Sequence, residues 1–139
     1  MNKAKIIGAV IVVAVVAIIL IPSAPKKISI SDASFAQVDA ATGCSSKNSS
    51  DKKDLIFNEQ FKNHQMTWAG SVVKAGGGDV SIDTNGIGTQ DLRVTLKDKQ
   101  QAVELQKGQR ITVQFVMRNA GGCVLPYSAN EGVIIATNK

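Results

Sequence analysis

Residues 110–118 read Arg-Ile-Thr-Val-Gln-Phe-Val-Met-Arg, with apolar side chains at every second position. Ile111, Val113, Phe115 and Met117 therefore share one face of a strand. Arg110, Thr112, Gln114 and Arg118 take the other, and only Val116 breaks the polarity. A strand dry on one side and wet on the other needs a layer to cover it, so the neighbouring periodicities decide the fold. Lys107-Gly108 supplies the turn into this strand.

The same period of two recurs around it. From residue 65, Met66, Trp68 and Val72 fall on one face with Gly70 among them, and a glycine inside a strand suggests a bulge or sharp bend. Gly76-Gly77-Gly78 reads as a hairpin connection into residues 79–83, where Val80 and Ile82 alternate with Ser81 and Asp83. Leu92, Val94 and Leu96 against Arg93, Thr95 and Lys97 predict a third strand, residues 98–105 a short helix or turn, and residues 132–137 a fifth strand after a loop over 121–130. Upstream the period is helical. Ser31 is read as the N-cap of a helix over 32–41 that ends at Gly43, with Phe35 and Val38 facing inward. Ser50 caps a second helix in which Phe57 packs against Phe61 one turn on, closed by Asn63-His64.

Residues 6–21 are sixteen consecutive apolar or glycine positions, bounded by Lys3 and Lys5 before and by Lys26 and Lys27 after. That is short for a bilayer span but sufficient with lysines snorkelling at both ends. Residues 1–27 are accordingly read as an uncleaved signal anchor with a spacer, rather than a cleaved signal peptide. Residues 28–139 are read as one exported domain, so the expected location is the membrane, single-pass, with the C-terminal domain in the periplasm or outside the cell. The formal charge of +5 is concentrated at the anchor: setting aside those four lysines leaves 12 basic against 11 acidic residues. The domain is nearly neutral, and its basic pI is no argument for a polyanionic partner.

Cys44 and Cys123 belong to no CxxC pair, which excludes the common zinc and redox spacings. In an exported domain their simplest state is one disulfide, two buried thiols being the alternative.

Three strands, a short interruption and two strands is the order of the five-stranded OB-fold barrel, here preceded by two short helices. Ser34-Phe35, Phe61-Lys62, Thr67-Trp68-Ala69-Gly70-Ser71-Val72, Arg93-Val94-Thr95-Leu96 and Leu105-Gln106-Lys107-Gly108-Gln109-Arg110-Ile111-Thr112-Val113 carry a further likeness. Over about residues 30–134 the chain resembles the exported tRNA_anti-like OB-fold proteins. The resemblance implies an exported OB barrel and assigns no ligand residue.

The candidate ligand residues are Arg93, Lys97, Arg110, Gln114 and Arg118 on the wet faces of the third and fourth strands, with Tyr127 expected free in a loop. Nucleic-acid OB-folds combine such cations with exposed aromatics, and apart from Tyr127 that face carries none. A solvated sheet face is the simpler reading. His64 is the lone histidine and reads as a surface or capping residue. The 76–78 glycines lack the following helix of a phosphate loop, and Asp79, Asp83 and Asp91 lack calcium-loop spacing. No catalytic constellation, metal or cofactor is expected. The reading is a membrane-tethered, non-catalytic binding or accessory module of the cell envelope with an envelope protein as possible partner. Oligonucleotide binding by the basic face is the alternative.

Overall fold

The computed structural model describes residue 25 and residues 27–138. The expected anchor, residues 1–24 with Lys26, lies outside the described residues. Among the described residues no helix is long and apolar enough to cross a membrane.

The architecture is mainly β: a closed five-stranded barrel with a few short helices. In chain order the elements are β1 (Ser29–Ile30), α1 (Phe35–Thr42), α2 (Ser50–Ile56), a π-helical turn (Phe57–Phe61), β2 (His64–Gly76), β3 (Asp79–Asp83), β4 (Leu92–Leu96), α3 (Lys99–Glu104), β5 (Arg110–Asn119) and β6 (Tyr127–Asn138). Neighbours run β1-β2-β3-β4-β6-β5, and β5 returns to β2 to close the barrel. The β4–β6 contact is parallel, and the other barrel pairs are antiparallel.

Closure depends on β2. Residues 65–71 pair with β5, and from Ser71 onward the strand pairs with β3, so one long strand serves both edges of the opening. The register slips between Val72 and Lys74, which turns the strand at the point where it changes partner. Gly70, expected to mark this bend, lies two residues earlier and serves another need. A Cβ there would stand 2.5 Å from the Asp83 carbonyl oxygen, backbone that has no flexible side chain to move. Gly70→Ala is expected to cost about 1 to 3 kcal/mol through that clash, read as a lower urea midpoint at an unchanged slope. An unaltered midpoint would show that the two strands can separate at no cost.

The apolar faces converge as the alternation requires. Met66, Trp68, Val72, Ile111, Val113 and Phe115 are all buried. Val116 is buried as well as Met117, because the β5–β6 register slips on either side of it. On β3 the expected wet face is dry: Ser81 and Asp83 are buried, Asp83 under the loop it holds.

Four local boundaries differ from expectation, each for a stated reason. The cap of α1 is Ser34, not Ser31. Its hydroxyl accepts from Gln37 N–H at 3.2 Å while the Gln37 amide oxygen accepts from Ser34 N–H at 2.8 Å, a reciprocal capping box. Ser31 instead donates its backbone N–H to the Gln65 carbonyl, extending the pairing of β1. Ser49 rather than Ser50 caps α2. The segment that follows is π-helical, with Lys62 N–H donating to Phe57 O at 2.8 Å, and both Phe57 and Phe61 are buried. Finally, β6 begins at Tyr127, five residues before the expected strand, and Tyr127 and Ala129 are its first two inward residues.

Cys44 and Cys123 form a disulfide with Cα atoms 4.7 Å apart. It joins the residue after the α1 C-cap to the loop between β5 and β6, stapling the helical layer to one end of the barrel.

Candidate binding face

The predicted cations do not make one face. β4 and β5 are separated by β6, so Arg93 and Lys97 lie a strand away from Arg110, Gln114 and Arg118. Arg110 and Arg118 stand at opposite ends of β5, roughly 27 Å apart at about 3.4 Å per residue. Three of the four cations also meet carboxylates. Arg93 donates through Nε and Nη2 to Asp79, Lys97 approaches Glu131 at 3.9 Å, and Arg118 pairs with Glu131 at 3.0 Å. Burial acts to raise the Asp79 carboxyl, but hydrogen bonds from Arg93 and Thr95 outweigh it and hold the group below its ordinary range. Arg110 is exposed and joins no ion pair among the described residues. Gln114 is half-buried in mid-strand between Thr67 and Val133.

Tyr127 is the main correction. It is 3% exposed, its hydroxyl is 2.9 Å from Thr42 Oγ1, and its ring stacks on Phe57 with edge contacts to Phe35 and Trp68. Burial pushes the phenol above its ordinary range, the Thr42 hydrogen bond opposes this, and the Asp39 charge adds to it. It is a core residue that docks α1, with no ring face left for a base. His64 sits half-buried at the start of β2, with Nδ1 3.0 Å from the Lys62 carbonyl.

The structure brings together a different set of residues. Loop 84–91 is held by two buried carboxylates that the sequence left without a role. Asp83 accepts from Gly86 and Gly88 N–H, both at 2.6 Å. Asp91 accepts from Thr84 N–H at 2.8 Å and Asn85 N–H at 3.1 Å. Gly86 and Gly88 have φ of 80° and 89°, which suits glycine alone at low cost. Loop 120–126 faces it. Gly122 N–H donates to Leu125 O, Tyr127 N–H donates to Asp91 O, and the disulfide fixes Cys123.

Between these loops lies a groove of about 770 Å³ lined by residues 88–91 and 122–125 together with Val73 and Lys74. It continues through Lys74, Gln90 and Leu125 onto the outer surface of β3 and β4 beside Asp79 and Arg93. Both loops expose apolar side chains: Ile87 at 73%, Val124 at 89% and Leu125 at 72%. Single exposed apolar residues are common, but three on two braced loops beside one groove form the kind of surface a partner covers. Among the described residues no His, Cys, Asp and Glu side chains are grouped as metal ligands would be.

Fold and loops together define a small closed β-barrel with a disulfide-stapled helical layer and a braced groove at one side. No family model, curated protein or solved structure matches the chain.

Proposed function

We propose that the chain is a non-catalytic binding module of the cell envelope. In this reading it is an OB-type barrel tethered to the membrane by its N-terminal apolar run, and it presents the groove between loops 84–91 and 120–126 to a partner protein. The observation that carries the reading is the exposure of Val124 and Leu125 on a loop that a covalent bond holds in place. Supporting the OB assignment are the strand order, the parallel β4–β6 pair and the position of α3 between β4 and β5. OB-folds take ligands on their second and third strands and on the loop between the fourth and fifth. Here those parts are β3, β4 and loop 120–126, where the groove lies. The disulfide fits an oxidising compartment, and the resemblance to exported tRNA_anti-like proteins points the same way. Against oligonucleotide binding weigh the buried Tyr127, the Asp79 carboxylate that pairs with Arg93, and β6 standing between the strands that carry Arg93 and Arg118.

A photo-crosslinking residue at position 125 of the membrane-bound chain is expected to give one discrete protein adduct, and Val124→Asp should abolish it without changing the circular dichroism spectrum. Absence of any adduct, or one indifferent to Val124→Asp, would sink this reading. Retention on a nucleic-acid column that falls steeply with salt would favour the oligonucleotide alternative instead.

A further inference from the structure

The two non-glycine residues with left-handed backbones among the described residues are Asn63, at φ 62°, and Glu131, at φ 53°. They are 68 positions apart in sequence, yet both bond the same guanidinium. Arg118 Nη1 donates to Asn63 Oδ1 at 2.6 Å, Nη2 to Glu131 Oε1 at 3.0 Å and Nε to Asn130 Oδ1 at 2.6 Å. The β5–β6 ladder is irregular on both sides of this contact. Arg118 is the extra residue between the Met117↔Ala129 and Asn119↔Ser128 pairs, and Glu131 falls in the slip between Asn130 and Val133. A π-helical turn delivers Asn63. Bulges, π turns and left-handed non-glycine residues each cost stability, and they concentrate where a side chain must be aimed. Here two register slips, the π turn and both left-handed residues converge on Arg118.

The aimed group lines a cleft of about 440 Å³ together with Lys27, Lys62, His64 and Glu131, with Ile28 and Val116 among its apolar lining. Three basic side chains therefore line it against one carboxylate. Neither Lys27 nor Lys62 has an ion-pair partner among the described residues. A guanidinium carries five N–H donors, and the three bonds given leave one N–H on each Nη free. The Arg118 side chain is 34% exposed and lines the cleft, so it has donors to spare for a second, charged acceptor there.

We propose that this cleft is a binding site for a phosphate group, distinct from the groove at loop 120–126. Arg118 grips two phosphate oxygens, Lys27 and Lys62 supply the remaining charge, and Ile28 and Val116 offer an apolar rim. Both an anionic lipid headgroup and free phosphate present this chemistry.

The test uses the full-length chain, isotope-labelled, in neutral-detergent micelles. Inorganic phosphate and short-chain phosphatidylglycerol are titrated separately while the Arg118 Nε–H and His64 ring resonances are followed. A saturable shift is expected. Arg118→Gln should weaken it more than about tenfold, and Lys27→Gln and Lys62→Gln about two- to fivefold each, the scale of exposed charge pairs. Saturation by phosphatidylglycerol but not by inorganic phosphate identifies a lipid headgroup, and the converse identifies free phosphate. If Arg118→Gln fails to fold, the double variant Lys27→Gln/Lys62→Gln, which leaves every Arg118 contact in place, decides the question. No saturable shift with either probe, or midpoints unchanged in the folded variants, overturns the site.

Discussion

Trp68→Ala should remove about 3 to 5 kcal/mol, a large share of the 5 to 15 kcal/mol typical of a whole domain. Three features set the size. The indole is only 4% exposed, and its ring meets Phe115 at 5.1 Å inside the barrel and Phe35 at 5.6 Å on the helical side. Its Nε1–H donates to the Ala33 carbonyl at 2.8 Å, tying the segment before α1 to β2. The substitution thus opens a cavity at the junction of the two layers and leaves a carbonyl without its donor. Equilibrium urea unfolding should show the loss as a lower midpoint. Trp68→Phe, which keeps most of the packing but not the donor, should cost only about 1 to 3 kcal/mol. An Ala variant as stable as the parent would mean that the helical layer does not depend on this face of the barrel.

Reducing the Cys44–Cys123 bond is the second large effect. It closes a loop with a sequence separation of 79, and loop-entropy reasoning gives about 4 kcal/mol for a loop of that size, less any native strain. The loss should be uneven. The barrel strands keep their own ladders, whereas α1 and α2 are short and rest on few buried side chains. Hydrogen exchange after reduction is therefore expected to rise first across residues 28–63, with β2, β5 and β6 protected longer. Uniform loss of protection would mean that helices and barrel unfold as one unit.

Much of this arrangement is legible in the sequence. The alternation through Ile111, Val113 and Phe115 predicts the inner face of β5, the 76–78 glycines predict the hairpin, and the two cysteines predict the staple. In β5 and β6 the differences from expectation come from pairing irregularities. The Glu131-Gly132 slip makes the first half of β6 look like loop, although the alternation of Tyr127 and Ala129 is that of a strand. The supposed basic face fails for a topological reason: the strands bearing Arg93 and Arg110 follow one another in sequence but have β6 between them. The Arg118 cluster is the least legible, since Asn63, Glu131 and Arg118 meet only once the strands are in register.

The staple also decides how the molecule carries tension. A pull applied between residues 27 and 125 runs through α1 to Cys44, crosses the disulfide to Cys123 and leaves two residues later. Residues 45–122, which include four of the five barrel strands, lie off that covalent path. The barrel strands between them lie outside the covalent load path, so in the oxidised molecule such a pull falls on the segment from β1 to α1 and not on β2 to β5. Once reduced, the same pull is routed through every strand from β2 to β5.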